Sequence, residues 1–244
     1  MFPKAMLIDM DDTIIAFEHG VDLSACWMSA CRTHFHDQEA ARIEEILEAI
    51  KERARWFWSD PDRHRIGRLD LDTARTTIIT DALSSLNLNV PHLPMQIALD
   101  YGRMRDQAIR IFPDAIETLS YLQSKGIKLA LITNGGSAAQ RGKIERFNLA
   151  PYFDHIIIEE EFGIGKPDPR VYLHALDQLG VSKEEAWIIG DNLEWEVAAP
   201  QKLGIKGIWM NHRNVEPPLS VIPYRTITAL RDLISIDDLH TDSY

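Results

Sequence analysis

Five short apolar runs stand out along the chain, and each is continuous rather than alternating with polar residues. They cover residues 5–9, 127–133, 155–159, 186–191 and 205–209. A strand with one exposed face alternates in polarity, whereas a strand buried on both faces is apolar throughout. The runs therefore predict strands in the interior of a covered sheet.

Segments with helical periodicity separate these runs, at residues 114–124, 137–147, 168–179 and 194–203. Gly126, Gly180 and Gly204 follow three of them, at the position where a helix C-cap favours glycine. Strands that alternate with helices indicate a parallel sheet covered on both faces. We therefore predict an α/β fold, a doubly wound parallel sheet with a Rossmann-like core.

Residues 17–107 interrupt this alternation, because they have helical periodicity and almost no strand-like runs. Candidate helices cover residues 21–35, 38–58, 72–86 and 93–110. We predict a helical domain at residues 17–107, inserted after the first strand, and an α/β core formed by residues 1–16 plus 108–244. The polar segment from Ser235 is expected to fray.

Composition and charge narrow the class of partner. The chain has 244 residues, of which 26 are Lys or Arg and 37 are Asp or Glu, so its formal net charge is −11. An acidic surface repels nucleic-acid backbones and anionic membranes, and we expect neither as a partner. A small phosphate can still bind where a metal ion and a lysine reverse the local field.

The expected location of the protein is the cytoplasm. No run approaches the roughly 20 apolar residues that span a bilayer. The first residues carry only Lys4 and a short apolar run that ends at Asp9, which differs from a signal peptide. The sequence leaves the oligomeric state open.

Polar and charged residues follow the predicted strands at their carboxyl ends, which is where ligands bind in an open α/β sheet. A sheet edge that served stability alone would have no reason to collect carboxylates, a hydroxyl, an amide and an ammonium. The residues are Asp9, Asp11, Asp12, Thr133, Asn134, Lys166, Asp191 and Asn192.

The carboxylates among them indicate phosphoryl chemistry. Asp9 and Asp11 are two residues apart, so their side chains face the same side of an extended strand. Of two neighbouring carboxyl groups, an ionised one can attack phosphorus while a protonated one donates to the leaving oxygen. Asp191 adds a third carboxylate, and hard oxygen ligands of this kind favour Mg²⁺.

The remaining groups suit the phosphate itself. Thr133 and Asn134 can donate hydrogen bonds to phosphate oxygens. Lys166 can neutralise the nucleophile and the transferring group as a point charge. Each segment alone is more typical of a turn or a surface loop, but their joint order along the chain indicates a phosphate site.

Four segments together resemble the motifs of the haloacid dehalogenase-like hydrolases, in the branch with a helical cap inserted after the first motif. They are DMDDT at 9–13, LITNG at 131–135, GIGKPDP at 163–169 and GDNLEWE at 190–196. The resemblance covers nearly the whole chain and implies a phosphatase that acts on a small phosphorylated metabolite. Residues 17–107 would then be the cap, which admits compact substrates.

The resemblance also implies a role for each residue. Asp9 would be the nucleophile that becomes an aspartyl-phosphate. Asp11 would act as general acid and then base, and its backbone carbonyl would bind the metal. Thr133 and Lys166 would hold the phosphoryl group, and the side chains of Asp9 and Asp191 would bind Mg²⁺.

One position departs from the family pattern. The family usually has an aspartate five residues after the aspartate of the fourth motif, and here that residue is Glu196. We expect Glu196 to orient Lys166 or a metal-bound water rather than bind the metal, with Asn192 in the same supporting position. Pro200 cannot donate to the carbonyl of residue 196, so a kink there could offset the longer side chain.

Three other functions stay open at this point. A 2-haloacid dehalogenase shares the nucleophile but needs neither a metal nor an acid at Asp11. A phosphomutase would protect its aspartyl-phosphate from water. A non-catalytic phosphate-binding module would use the same fold. Glu18 and His19, in the segment after the first motif, are candidates for substrate contact or for an ordinary hinge.

Overall fold

The computed structural model describes residues 2–234, so the predicted fraying from Ser235 lies outside the described residues. The chain divides into two compact units. One comprises the chain up to His19 and from Arg110 onward, and the other comprises Gly20–Ile109. The assignment of residues 17–107 as a cap stays a prediction.

The first unit contains the main sheet and a small two-stranded sheet. The strands are β1 (Ala5–Ile8), β2 (Ile15–Ala16), β3 (Arg110–Ile111), β4 (Lys128–Thr133), β5 (His155–Ile158), β6 (Ala186–Gly190), β7 (Lys206–Met210) and β8 (Arg225–Ile227). The six-stranded sheet has the order β5-β4-β1-β6-β7-β8, and each neighbouring pair is parallel. The predicted doubly wound parallel sheet is therefore confirmed.

Strand β1 lies inside this sheet, between β4 and β6. All four of its residues are fully buried, which explains its unbroken apolar character. Ile8 pairs with Leu131 on one side and Ile189 on the other, so the three strands end at the same edge. The next residue in the chain is Asp9.

Two strand pairings were not predicted from sequence. The edge strand β8 pairs with β7, and β2 pairs antiparallel with β3 in a separate two-stranded sheet. These strands are two or three residues long, which is too short to produce a recognisable apolar run.

Helices separate the strands of this unit as the periodicity indicated. They are α6 (Ala115–Ser124), α7 (Ser137–Arg146), α8 (Glu159–Phe162), α9 (Pro169–Leu179) and α10 (Ala199–Leu203), with a π-helical segment at Leu193–Ala198. Helix α9 shows why these helices form where they do. The side chain of Asp168 caps its N-terminus, and Gly180 ends it with a φ of 62°.

The second unit is entirely helical within the described residues. Its helices are α1 (Leu23–His34), α2 (Ala40–Trp58), α3 (Pro61–Gly67), α4 (Leu71–Ser85) and α5 (Leu93–Ala108). One apolar cluster packs α1, α2, α4 and α5 together, and its members include Ile46, Ile50, Ile79 and Ile97. No helix in the described part of the chain has the length and apolar character that crossing a bilayer requires.

Candidate active site

The carboxylate of Asp9 lies at the carboxyl end of β1 and is almost completely buried. Its Oδ1 accepts a hydrogen bond from Lys166 Nζ at 2.6 Å, and its Oδ2 lies 3.4 Å from Thr13 Oγ1. Burial raises the pKa of Asp9 above its usual value, and the Lys166 cation opposes that rise. Additional positive charge at this edge would therefore help to keep Asp9 ionised.

Lys166 is held between two carboxylates. Its ammonium lies 2.6 Å from Asp9 Oδ1 and 2.7 Å from Glu196 Oε1, and its side chain is 1% exposed. Burial alone would lower the pKa of Lys166, but the Asp9 and Glu196 carboxylates raise it above its usual value. The side chain is therefore a fixed cation beside the proposed nucleophile.

Glu196 reaches Lys166 from the π-helical segment that precedes α10. Its other oxygen, Oε2, accepts the backbone N–H of Asn192 at 3.0 Å. Pro200 follows the π-helical segment, where it cannot donate to the carbonyl of residue 196 and the wider turn replaces a regular α-helix. A Cβ atom on Gly190 would lie 2.2 Å from Glu196 Cγ, so only glycine leaves room for this side chain.

Asp191 follows β6 and stands at the solvent side of this cluster. Its backbone carbonyl accepts a hydrogen bond from Trp209 Nε1 at 2.8 Å. Partial burial and the carboxylates of Asp9 and Glu196 raise the pKa of Asp191. Because the residue is exposed, water screens part of this repulsion.

Thr133 and Asn134 end β4 beside the loop that carries Lys166. Thr133 is buried. The Asn134 side chain donates to the Lys166 carbonyl at 2.7 Å and accepts the Lys166 N–H at 2.8 Å. Both ends of the amide therefore join the two loops. The contact of Asn134 with a phosphate stays a prediction. A Cβ on Gly165 would lie 2.5 Å from Asn134 Oδ1.

Two residues on α7 contact Asp11 and were not predicted from sequence. Lys143 Nζ lies 2.8 Å from Asp11 Oδ1 and 2.7 Å from Oδ2. Gln140 Nε2 lies 3.1 Å from Asp11 Oδ2 and 2.5 Å from Thr133 Oγ1. The one available signal was that residues three apart share a helix face, and nothing in the sequence indicated which face meets the site.

Asp12 has a structural function beside the site. Its buried carboxylate accepts the backbone N–H groups of Phe17, Glu18 and His19, at 2.8–3.0 Å. Its φ of 54° lies in the left-handed region, which Asp tolerates better than most residues. Asp12 thus fixes the backbone of residues 17–19, which follow the first motif.

A cavity of about 270 Å³ opens next to Asp191. Glu18 and His19 line it, so the structure places both candidate contact residues of that segment beside the carboxylate cluster. His212, which sequence analysis did not single out, also lines it. The His19 and His212 rings stack with their centroids 4.3 Å apart, and His212 Nε2 lies 2.7 Å from the Asp12 carbonyl oxygen.

The predicted site residues are thus connected at one edge of the sheet. One chain of contacts runs from Asn192 through Glu196 and Lys166 to Asp9. A second chain runs from Asp11 through Gln140 to Thr133, and Asp191 lies within electrostatic reach of Asp9. A fixed cation, a buried carboxylate and a second carboxylate held by hydrogen bonds are the parts of a nucleophilic displacement with acid–base assistance.

A family model described as haloacid dehalogenase-like hydrolase matches residues 3–204. The chain belongs to this family. The match includes each of the four motifs, from Asp9 to Glu196, and it confirms the resemblance on which the roles of these residues were based.

Three relatives and one solved structure show the range of the family. A glyceraldehyde 3-phosphate phosphatase of Methanocaldococcus jannaschii is 33% identical over 246 residues, which cover 96% of each protein. A phosphoserine phosphatase of Thermus thermophilus is 32% identical over 160 residues, or 66% of this chain and 58% of that protein. An (S)-2-haloacid dehalogenase of Pseudomonas sp. is 33% identical over 123 residues, which cover 50% of this chain and 54% of that protein.

The HAD-hydrolase YfnB of Bacillus subtilis superposes with a TM-score of 0.69 and 23% identity, covering 97% of this chain and 99% of that one. This similarity shows that the two proteins share a fold. It supports the predicted α/β architecture, because the superposition covers 97% of this chain.

Proposed function

We propose that this hydrolase cleaves the phosphate ester of a small phosphorylated metabolite, with Asp9 as the nucleophile. The observation that carries the proposal is the buried Asp9 carboxylate at the end of β1, with Lys166 Nζ at 2.6 Å. A buried carboxylate is costly unless it is paired, and here the pairing cation is placed to receive a transferring phosphoryl group. The phosphatase relative that aligns over 96% of the chain supports this choice of substrate class.

The proposed reaction has two steps. Asp9 attacks phosphorus, the phosphorus–oxygen bond to the leaving group breaks, and Asp11 donates its proton to the departing alkoxide. Water then attacks the phosphorus of the aspartyl-phosphate, Asp11 takes a proton from it, and Asp9 leaves as a carboxylate. Lys166 and the Thr133 hydroxyl hold the phosphoryl oxygens in both steps.

The residues present fit Mg²⁺. The ligands would be the carboxylates of Asp9 and Asp191 and the backbone carbonyl of Asp11, which are all hard oxygen donors. The raised pKa values of Asp9 and Asp191 indicate a site that needs added positive charge. Bound Mg²⁺ would neutralise charge on the phosphoryl group.

The experiment described below also distinguishes a phosphatase from a dehalogenase and from a phosphomutase. A halide leaves without a proton, so a dehalogenase has no use for the Asp11 carboxyl, which here receives hydrogen bonds from Lys143 and Gln140. A phosphomutase would transfer the phosphoryl group back to a sugar instead of to water. A non-catalytic module would keep the fold without turnover.

The test measures phosphate release from a panel of phosphomonoesters, with chelator-treated protein and with Mg²⁺ restored. We expect Mg²⁺-dependent release, no chloride release from 2-chloropropionate, and no conversion of one hexose phosphate into another. Asp9→Asn should retain the fold and lose turnover to below about a thousandth of the wild-type rate. Asp62→Asn, whose side chain is 86% exposed, is the matched control and should keep full activity. Chloride release, or an active Asp9→Asn variant, would refute the proposal.

A further inference from the structure

The ammonium of Lys143 contacts both carboxylate oxygens of Asp11. Its ammonium lies 2.7–2.8 Å from both carboxylate oxygens, and its side chain is 11% exposed. The two residues are 132 positions apart in the sequence. The same ammonium lies over the Phe17 ring, with the ring centroid 4.0 Å from Nζ. The cation is therefore held in place by an aromatic face and a carboxylate.

Gln140 lies one turn before Lys143 on the same face of α7 and reaches the same carboxylate. Its Nε2 is within hydrogen-bond distance of Asp11 Oδ2, Thr133 Oγ1 and the Asn134 carbonyl. An amide nitrogen can only donate, so Thr133 Oγ1 accepts from Gln140. The hydroxyl hydrogen of Thr133 then points away from Gln140 and is available to a phosphoryl oxygen.

Stability alone does not account for this arrangement. Removing two charges from water costs energy that their attraction recovers only in part, so a largely buried ion pair adds little net stability. Helix α7 is already attached to α8 by the Arg141–Glu161 ion pair on its exposed side, with a closest distance of 2.6 Å. The Lys143 contact instead goes to the one residue that must face the leaving group.

We infer that Lys143 is a positioning residue for the acid–base step, and that it holds the Asp11 carboxyl in the orientation that both half-reactions use. This inference rests on the proposed function. An Asp side chain rotates about two bonds, and fixing its position before reaction lowers the entropy cost of proton transfer. Gln140 connects the same carboxyl to Thr133, so the acid–base group and the phosphate-holding group are aligned by a single helix.

The leaving group provides the decisive measurement. Alkyl phosphates need a proton from Asp11 to depart, whereas p-nitrophenolate departs with little assistance. In single-turnover measurements of the first step, Lys143→Met should slow alkyl phosphates by roughly tenfold or more and p-nitrophenyl phosphate by less than about threefold. Lys143→Arg, which can still contact both oxygens, should recover part of the alkyl rate. A loss that is equal for both substrates would overturn the inference.

Arg141→Met is the matched control, because it removes a different ion pair of α7, which does not involve Asp11. It should leave the ratio of alkyl to aryl rates unchanged. A shift of that ratio as large as that of Lys143→Met would show that any loosening of α7 has the same effect, and would also overturn the inference.

A double substitution tests whether Lys143 acts through Asp11. In an Asp11→Asn background, adding Lys143→Met should cause no further loss on alkyl phosphates, because the group to be positioned is already inactive. Multiplicative losses would assign Lys143 another role and overturn the inference. If Asp9→Asn is active, the proposed function fails. If Asp9→Asn is inactive and Asp11→Asn is slowed by roughly a hundredfold on alkyl phosphates while Lys143→Met matches the wild type, only this inference fails.

Discussion

The ammonium of Lys166 lies 2.6 Å from a carboxylate oxygen of Asp9, and both side chains are almost fully buried. A second ion pair, between Lys4 and Glu185, has the same 2.6 Å distance but lies on the surface, with side chains 70% and 40% exposed. The two pairs differ in environment rather than in geometry. Substitutions in the two pairs therefore show how burial, at equal distance, affects the contribution of an ion pair to stability.

Lys166→Met should be strongly destabilising and inactive. It leaves the carboxylates of Asp9 and Glu196 buried without their cation, and breaking a buried pair in this way typically costs about 3–5 kcal/mol. Urea unfolding without added metal measures this loss. Lys4→Met, the control, should cause no measurable change. If the two substitutions lower the free energy of unfolding equally, burial does not set the contribution of these ion pairs.

Asp191→Asn should stabilise the metal-free protein and abolish stabilisation by Mg²⁺. The pKa of Asp191 is raised from 3.8 to about 9, so between these pH values the folded protein retains a proton that the unfolded chain has released. The folded protein then binds more protons than the unfolded one, and this group lowers the free energy of unfolding as pH rises.

Thermal unfolding with chelator at pH 6 and at pH 8 checks this sign. The difference in Tm between Asp191→Asn and the wild type should be larger at pH 8. Adding Mg²⁺ should then raise the Tm of the wild type alone. A variant that Mg²⁺ stabilises as strongly as the wild type would remove Asp191 from the metal site.

Substitutions at Asp12 should separate hydrogen bonding from backbone conformation. Asp12→Asn keeps an acceptor oxygen for the N–H groups of Phe17, Glu18 and His19, and should be the mildest change. Asp12→Gly accommodates the φ of 54° but leaves these donors unpaired, at a cost of about 1–3 kcal/mol. Asp12→Ala adds left-handed strain and should lose more. If the Gly and Ala variants unfold at the same urea concentration, backbone strain is negligible here.

Gly190→Ala should reduce both stability and kcat/KM. The new methyl group would collide with Glu196 at 2.2 Å and displace it from Lys166. Overpacking of this kind typically costs about 1–3 kcal/mol. Adding Glu196→Asp withdraws the carboxylate by one methylene and should recover part of the loss. Gly142→Ala on α7, where a methyl group meets no atom within 4 Å, should be tolerated. If Gly190→Ala changes neither the stability nor kcat/KM, Glu196 has room to move away from the added methyl group.

Much of the architecture was predictable from local pattern. Strands such as β1 are buried on both faces, so their apolar runs were visible without knowledge of their partners. The short strand β8 and helix α3 produced too little pattern to be recognised. Family membership was also predictable, because the four motifs are contiguous segments whose order could be read directly, and the family model confirms it.

Tertiary structure alone decided which side chains meet. The sequence indicated Asp9, Lys166 and Asp191 because each stands at or near the end of a strand, and parallel strands bring their carboxyl ends together. It could not indicate that Lys143 reaches Asp11 across 132 residues, or that His212 meets Asp12 across 200. A helix has several faces of similar polarity, and only the packing of α7 against the sheet selects the one that turns toward the site. The same holds for Asn134, whose side-chain amide pairs with the Lys166 backbone across 32 residues. No local pattern indicates that contact.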